Sequence, residues 1–169
     1  MGRLLVYLGR LILIVVGFVA AALAASAAMH LFILPTLGFE TVEAGPIVAG
    51  SVLFSIPFVA LFVAYFALTP ALVVVAIAEI WSVRGWLYYA LSGGAIGLAI
   101  ALLFGSRAAE RLTDSGPQPR GAAGGTIFET NLLAVLIGSG IVGGVVYWLI
   151  AGGTSGSWRS RAAQSRAPQ

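Results

Sequence analysis

Ala78-Glu79-Ile80-Trp81-Ser82-Val83-Arg84-Gly85-Trp86-Leu87 is the stretch from which the whole chain can be placed. It separates two long apolar runs and sets one Glu and one Arg among two Trp residues, the make-up of a short loop at a lipid–water boundary. The hairpin over residues 71–105 therefore predicts two membrane-crossing helices joined by a tight turn.

Composition points the same way. Only 9% of the residues are charged and 60% are hydrophobic, whereas a soluble domain carries roughly a quarter charged residues. With a mean hydropathy of +1.03, the chain reads as an integral membrane protein. Cys is absent, which removes disulfides, thiolate metal sites and cysteine nucleophiles. The net charge of +3 comes from Arg residues at the ends of apolar runs, without the aromatic-interleaved patch of a nucleic-acid surface, so no nucleic-acid partner is expected.

Working outward, residues 11–34 carry no formal charge and follow Arg3 and Arg10. At about 1.5 Å per residue they exceed a hydrocarbon core of about 30 Å, which predicts the first crossing. A secretory signal peptide competes, because Ala25-Ser26-Ala27 before Ala28 fits the small-residue cleavage pattern. The apolar run continues through Met29, Leu31, Phe32, Ile33 and Leu34, beyond the length of a signal core, and favours the crossing. Pro35 is expected to end it, before a loop with Glu40 and Glu43.

The second crossing, 50–81, contains Pro57 and Pro70 and is read as one kinked helix, since a separate element over 71–81 would reach only about 16 Å. The third is 87–105. Residues 106–125 form the one substantial polar loop, with Arg107, Glu110, Arg111, Asp114 and Arg120. Thr126 followed by Glu129 fits a capping box and predicts a fourth crossing over 129–151. Residues 1–152 thus form a bundle of four transmembrane helices, an all-α membrane fold. The Gly/Ser/Ala-rich segment 153–169, with Arg159, Arg161 and Arg166, is expected to be a disordered basic tail.

Arginine placement sets the direction. A cytoplasmic N-terminus puts Arg3, Arg10, Arg84 and the three tail arginines inside, leaving Arg107, Arg111 and Arg120 outside, so both termini are expected in the cytoplasm. Trp81, Trp86, Tyr88, Tyr89, Tyr147 and Trp148 then gather near the inner face as an aromatic belt.

Small residues recur four apart as Gly17, Ala21 and Ala25, as Gly93, Gly97 and Ala101, and as Gly140 and Gly144 beside Ser139 and Gly143. In lipid such ridges let helix backbones approach closely, so the third and fourth helices are expected to meet there or to meet a partner. Glu79 is the one acid within a crossing, near an end, where pairing with Arg84 or Arg10 accounts for it. His30, Ser26, Ser55, Ser92 and Ser139 read as structural polar groups, none of the serines having a base nearby in sequence. One His, no Cys and scattered carboxylates make no credible metal set, and no cofactor is expected.

At Ala78-Glu79-Ile80-Trp81-Ser82-Val83-Arg84, Tyr89-Ala90-Leu91-Ser92-Gly93-Gly94 and Gly144-Val145-Val146-Tyr147-Trp148-Leu149-Ile150-Ala151-Gly152, the chain resembles small four-helix inner-membrane proteins of alphaproteobacteria that have no assigned activity. The resemblance implies a multi-pass protein of the bacterial inner membrane and supplies no catalytic or binding residue. The expected role is a non-enzymatic accessory or structural component whose partners are the lipid bilayer and a second copy or another membrane protein. No small-molecule substrate is identifiable. The rival is a subunit of a small permease or channel, for which the two prolines of the second crossing speak.

Overall fold

The computed structural model describes the backbone of residues 2–36, 46–114 and 123–155. It contains α1 (Gly2–Thr36), α2 (Pro46–Trp81), α3 (Trp86–Asp114), α4 (Ala123–Ile150) and a closing 3-10 turn, Gly152–Thr154. All four helices include a stretch long and apolar enough to cross a membrane: Tyr7–Ile33, Gly50–Trp81, Trp86–Phe104 and Asn131–Ile150.

Helix limits differ from the sequence reading in instructive ways. Pro35 lies within the last turn of α1, and α2 starts at Pro46 instead of near residue 50, while it continues through both Pro57 and Pro70 as the single helix the sequence reading expected. α3 runs beyond residue 105 to Asp114. α4 starts at Ala123, so Thr126 has helical backbone and is not the N-cap expected of it, because a capping residue lies outside the helical φ/ψ region. The expected tail opens with an ordered turn over Gly152–Thr154, and Ser155 behind it is 2% exposed. The remainder, 156–169, lies outside the described residues, as do Glu40 and Glu43.

The α2–α3 turn is built by the α2 C-terminus. The Val83 amide donates to the Ala78 carbonyl at 2.9 Å, the long-range bond of a Schellman motif. That closure needs a left-handed residue, and Ser82 supplies it at φ 54°. Glycine normally occupies this position because an L side chain there costs about 1 kcal/mol or more. Ser82→Gly is therefore expected to raise thermal stability in detergent by up to about 1 kcal/mol; an unchanged or lower midpoint would mean that the Ser82 side chain contributes more than its backbone strain removes.

Neighbouring helices run antiparallel. α4 packs most extensively, against α3 on one side and α1 on the other, while α2 lies along α1 and touches α3 lightly. The α2–α3 contacts include the Phe66–Phe104 ring pair, with centroids 5.2 Å apart, and a hydrogen bond of 3.0 Å from the Tyr88 hydroxyl to the Val74 carbonyl. Burial is inverted relative to a soluble bundle. The buried apolar residues are mostly alanines (Ala22, Ala25, Ala28, Ala60, Ala78, Ala90, Ala101 and Ala151), joined by Val135, Tyr89 and Tyr147. Large side chains such as Leu11, Phe54, Phe58, Leu61 and Leu102 face outward. Small residues inside and large apolar ones outside is what close packing in a hydrocarbon solvent requires, since lipid solvates the large side chains and close backbone approach holds the helices.

Candidate functional site

Three constellations stand out. The first is the α3–α4 seam. A Cβ added to Gly93 would run into the Gly140 carbonyl, and one added to Gly140 would meet the Gly93 carbonyl in return. A turn away on either side, Gly144 faces the Tyr89 carbonyl and Gly97 the Leu136 carbonyl. The spacing of four in each helix keeps these contacts in step along an antiparallel seam, so glycine occurs where one backbone rests on the other. Ala101, on the same ridge, is buried. Gly143 turns elsewhere: a Cβ there would lie 3.1 Å from the Ala21 carbonyl and 3.2 Å from the Ala25 Cβ, so it serves the α1 contact. Gly17 joins that contact, facing the Ala151 Cβ at 3.0 Å. The two ridges of α4 therefore take different neighbours.

The second constellation ties the helices together beside the α2–α3 turn. Glu79 was offered two cations by the sequence, and the structure pairs it with Arg10: Nε donates to Oε1 at 3.0 Å and Nη2 closes on the same oxygen. Arg10 also donates to the Ala151 carbonyl at 3.1 Å and to the Ser155 hydroxyl at 3.2 Å. Arg84 instead donates through Nε to the Ser155 carbonyl at 2.9 Å, and its own carbonyl accepts the Trp148 indole N–H at 2.8 Å. The Tyr89 hydroxyl lies 2.7 Å from Ser155 Oγ and 3.3 Å from the Val83 carbonyl. One hydrogen per hydroxyl satisfies this set as a relay: Arg10 to Ser155, Ser155 to Tyr89, Tyr89 to Val83. Arg10 on α1 thus joins α2, the end of α4 and, through Ser155, α3. Its side chain is 16% exposed and that of Glu79 19%, so the ion pair is largely desolvated.

The third constellation lies at the other end of the α1–α2 contact. Ser26, fully buried, donates to the Ile56 carbonyl at 2.8 Å. His30 Nδ1 is 2.8 Å from the Ser26 carbonyl, one turn back, and Nε2 is 2.7 Å from Ser55 Oγ. Ser55 Oγ also lies 2.9 Å from the carbonyl of Val52. No base adjoins Ser55 in sequence; the α1–α2 register brings one from another helix, which single-chain spacing does not reveal. Among the described residues, no group of three or more His, Cys, Asp or Glu could hold a metal ion.

No protein-family model, characterised protein or solved structure matches this chain. The functional reading consequently rests on the geometry alone.

Proposed function

We propose that the chain is a multi-pass protein of the bacterial inner membrane, both termini cytoplasmic, acting as a non-enzymatic accessory component. The observation that carries this reading is the contrast between its helices. The glycine ridges of α3 and α4 close on each other within the chain, whereas α2 has 6% of its apolar window buried, against 22–28% for the other three. Phe54, Phe58, Leu61 and Tyr65 are 64–86% exposed and recur at helical spacing along α2, which makes it the helix on which a partner helix or lipid lies. The Ser55–His30 pair does not argue for an enzyme. Ser55 sits within regular helix, where backbone amides are committed to carbonyls four residues back and none is free to hold an oxyanion.

A permease or channel subunit is the second reading, favoured by the two prolines and sparse burial of α2. Photo-crosslinking side chains at Phe58 and Tyr65, tested in native membranes, separate the two. The accessory reading expects adducts with a distinct protein from both α2 sites and none from Ile137 on the α4 side. Adducts with only a second copy support the oligomeric subunit, and adducts with lipid alone overturn the accessory reading. Direction is tested separately by reporters fused after Ser82, after Gly116 and at the C-terminus, expected to be cytoplasmic, periplasmic and cytoplasmic; a periplasmic C-terminus would rule out an even number of crossings from a cytoplasmic start.

A further inference from the structure

At the α2–α3 turn one cation has no anion among the described residues. Glu79, the acid nearest Arg84 in sequence, is taken by Arg10. Glu40, Glu43, Glu110, Asp114 and Glu129 belong to segments at the opposite ends of the crossings, and no acidic residue occurs over 1–39, 80–109 or 130–169. Arg84 is exposed, yet its backbone and one edge of its guanidinium are fixed. The Trp148 indole donates to its carbonyl at 2.8 Å, and its Nε donates to the Ser155 carbonyl at 2.9 Å. Nη1 and Nη2 make no hydrogen bond among the described residues. With Nε committed, what remains is the end-on fork of parallel N–H groups, the geometry that takes two oxygens of one anion. Because the side chain is already held in the folded protein, little rotamer freedom is left to lose when an anion binds.

The surroundings select the anion. Trp81 ends α2 and Trp86 begins α3, one on either side of Arg84 in sequence, and their side chains are 70% and 55% exposed. Exposed Trp at the end of a crossing settles at the depth of lipid headgroups, which sets the fork at the level of the lipid phosphate. Toward the hydrocarbon, Ile80 on α2 and Leu87 and Leu91 on α3, the latter two one turn apart, are exposed apolar surface for acyl chains. The turn is open to approach, since a Cβ at Gly85 would meet nothing within 4 Å. A zwitterionic lipid brings its own cation to its phosphate and a net-negative lipid does not, so an uncompensated Arg favours the latter. We propose that the α2–α3 turn binds the phosphodiester of an anionic membrane lipid, with Arg84 as its bidentate partner and Trp81 and Trp86 setting its depth. The inference rests on the four crossings and on neither the accessory role nor the direction of the chain. It gives the fold-back of Ser155 a second use, because the Ser155 carbonyl occupies Nε and leaves the fork to the lipid.

Native mass spectrometry of the full chain in mild detergent, given phosphatidylglycerol and phosphatidylethanolamine in equal amounts and with identical acyl chains, reads which lipid is retained. Phosphatidylglycerol is expected to be preferred by about fivefold or more, the discrimination one Arg provides near an anionic surface. Arg84→Gln removes the fork, and Gly85→Glu supplies a competing carboxylate beside it while leaving Arg84 and its Ser155 contact in place. Both are expected to bring the preference to near one. Arg3→Gln, which removes the same charge at the same end of the bundle, is expected to leave it unchanged. Inorganic phosphate in large excess should not displace the lipid, having no acyl chains to lie on Ile80, Leu87 and Leu91. A wild type without preference overturns the proposal, as does a preference kept in Arg84→Gln, or in Gly85→Glu where Arg84→Gln fails to fold. Equal loss in Arg3→Gln would show diffuse attraction to a basic end, and displacement by phosphate a site for soluble anions; either result also overturns it.

Discussion

Gly140→Ala is expected to destabilise the detergent-solubilised protein by about 1–3 kcal/mol, the cost of overpacking a well-filled contact, although the change adds a single methyl group. The reason is what that methyl meets. At Gly140 and Gly93 it meets a backbone carbonyl of the facing helix, which no rotamer change can move, so α3 and α4 must separate along the seam and give up contacts over several turns. Gly94→Ala tests the same surface with a softer neighbour, because its Cβ would lie 3.0 Å from Cγ1 of Ile141, a side chain that can turn away. Gly50→Ala is the open-space control: nothing lies within 4 Å, and removal of a helical glycine is worth roughly 0.5–1 kcal/mol in favour of the folded state. Thermal midpoints should therefore rank Gly50→Ala above wild type, Gly94→Ala below it and Gly140→Ala lowest. A Gly140→Ala midpoint equal to that of Gly50→Ala would show that the seam is not closely packed. Gly144→Ile is expected to act more severely than Gly140→Ala, since Gly144 faces the Tyr89 carbonyl.

The seam was legible in sequence as far as the spacing of small residues goes. Runs of apolar residues reveal the four helices, because crossing a hydrocarbon core sets a minimum length that few other constraints imitate. The glycine spacing shows that something must lie close to α3 and α4. It does not assign neighbours. Gly143 and Gly144 are one residue apart, about 100° around the helix, and the sequence reads them as one broad groove; the structure gives Gly144 to α3 and Gly143 to α1. That division depends on α4 lying between two helices, a property of the whole bundle.

Polar partners were harder to read because they depend on register between distant segments. Arg84 is five residues from Glu79, yet the left-handed turn at Ser82 carries the chain onward and Arg84 Nε reaches the Ser155 carbonyl. Arg10, far away in sequence, lies beside Glu79 because α1 and α2 run antiparallel with their ends aligned. Ser155 belongs to a stretch whose composition suggests disorder. Its burial depends on Gly152, where a Cβ would come within 2.8 Å of the Tyr89 ring and 2.9 Å of the Trp148 indole, so that the chain turns back under the aromatic residues instead of leaving them.

Arg10→Ala is expected to cost about 3 kcal/mol, toward the lower end of what is lost when one partner of a buried ion pair is removed, since both side chains keep some access to water. Among the described residues, the Glu79 carboxylate, the Ala151 carbonyl and the Ser155 hydroxyl lose a donor at once. The carboxylate dominates, because a largely desolvated anion without its cation is worse than either an exposed anion or a neutral group. Glu79→Gln should be milder, about 1–2 kcal/mol: the amide oxygen can still accept from Arg10, and the guanidinium keeps Ala151 and Ser155. The double variant Arg10→Met, Glu79→Met removes both charges while filling similar volume, and is expected to recover much of the loss of Arg10→Ala, since replacing both members of a buried pair by apolar residues is often neutral or stabilising. Recovery distinguishes an unpaired charge from simple loss of packing, which a second substitution would deepen. Thermal unfolding in mild detergent at several salt concentrations provides the check. An Arg10→Ala effect below about 1 kcal/mol that fades further with salt would place Arg10 and Glu79 among ordinary exposed ion pairs, and the joining of all four helices at this end would then have to rest on Tyr89, Arg84 and the fold-back of Ser155.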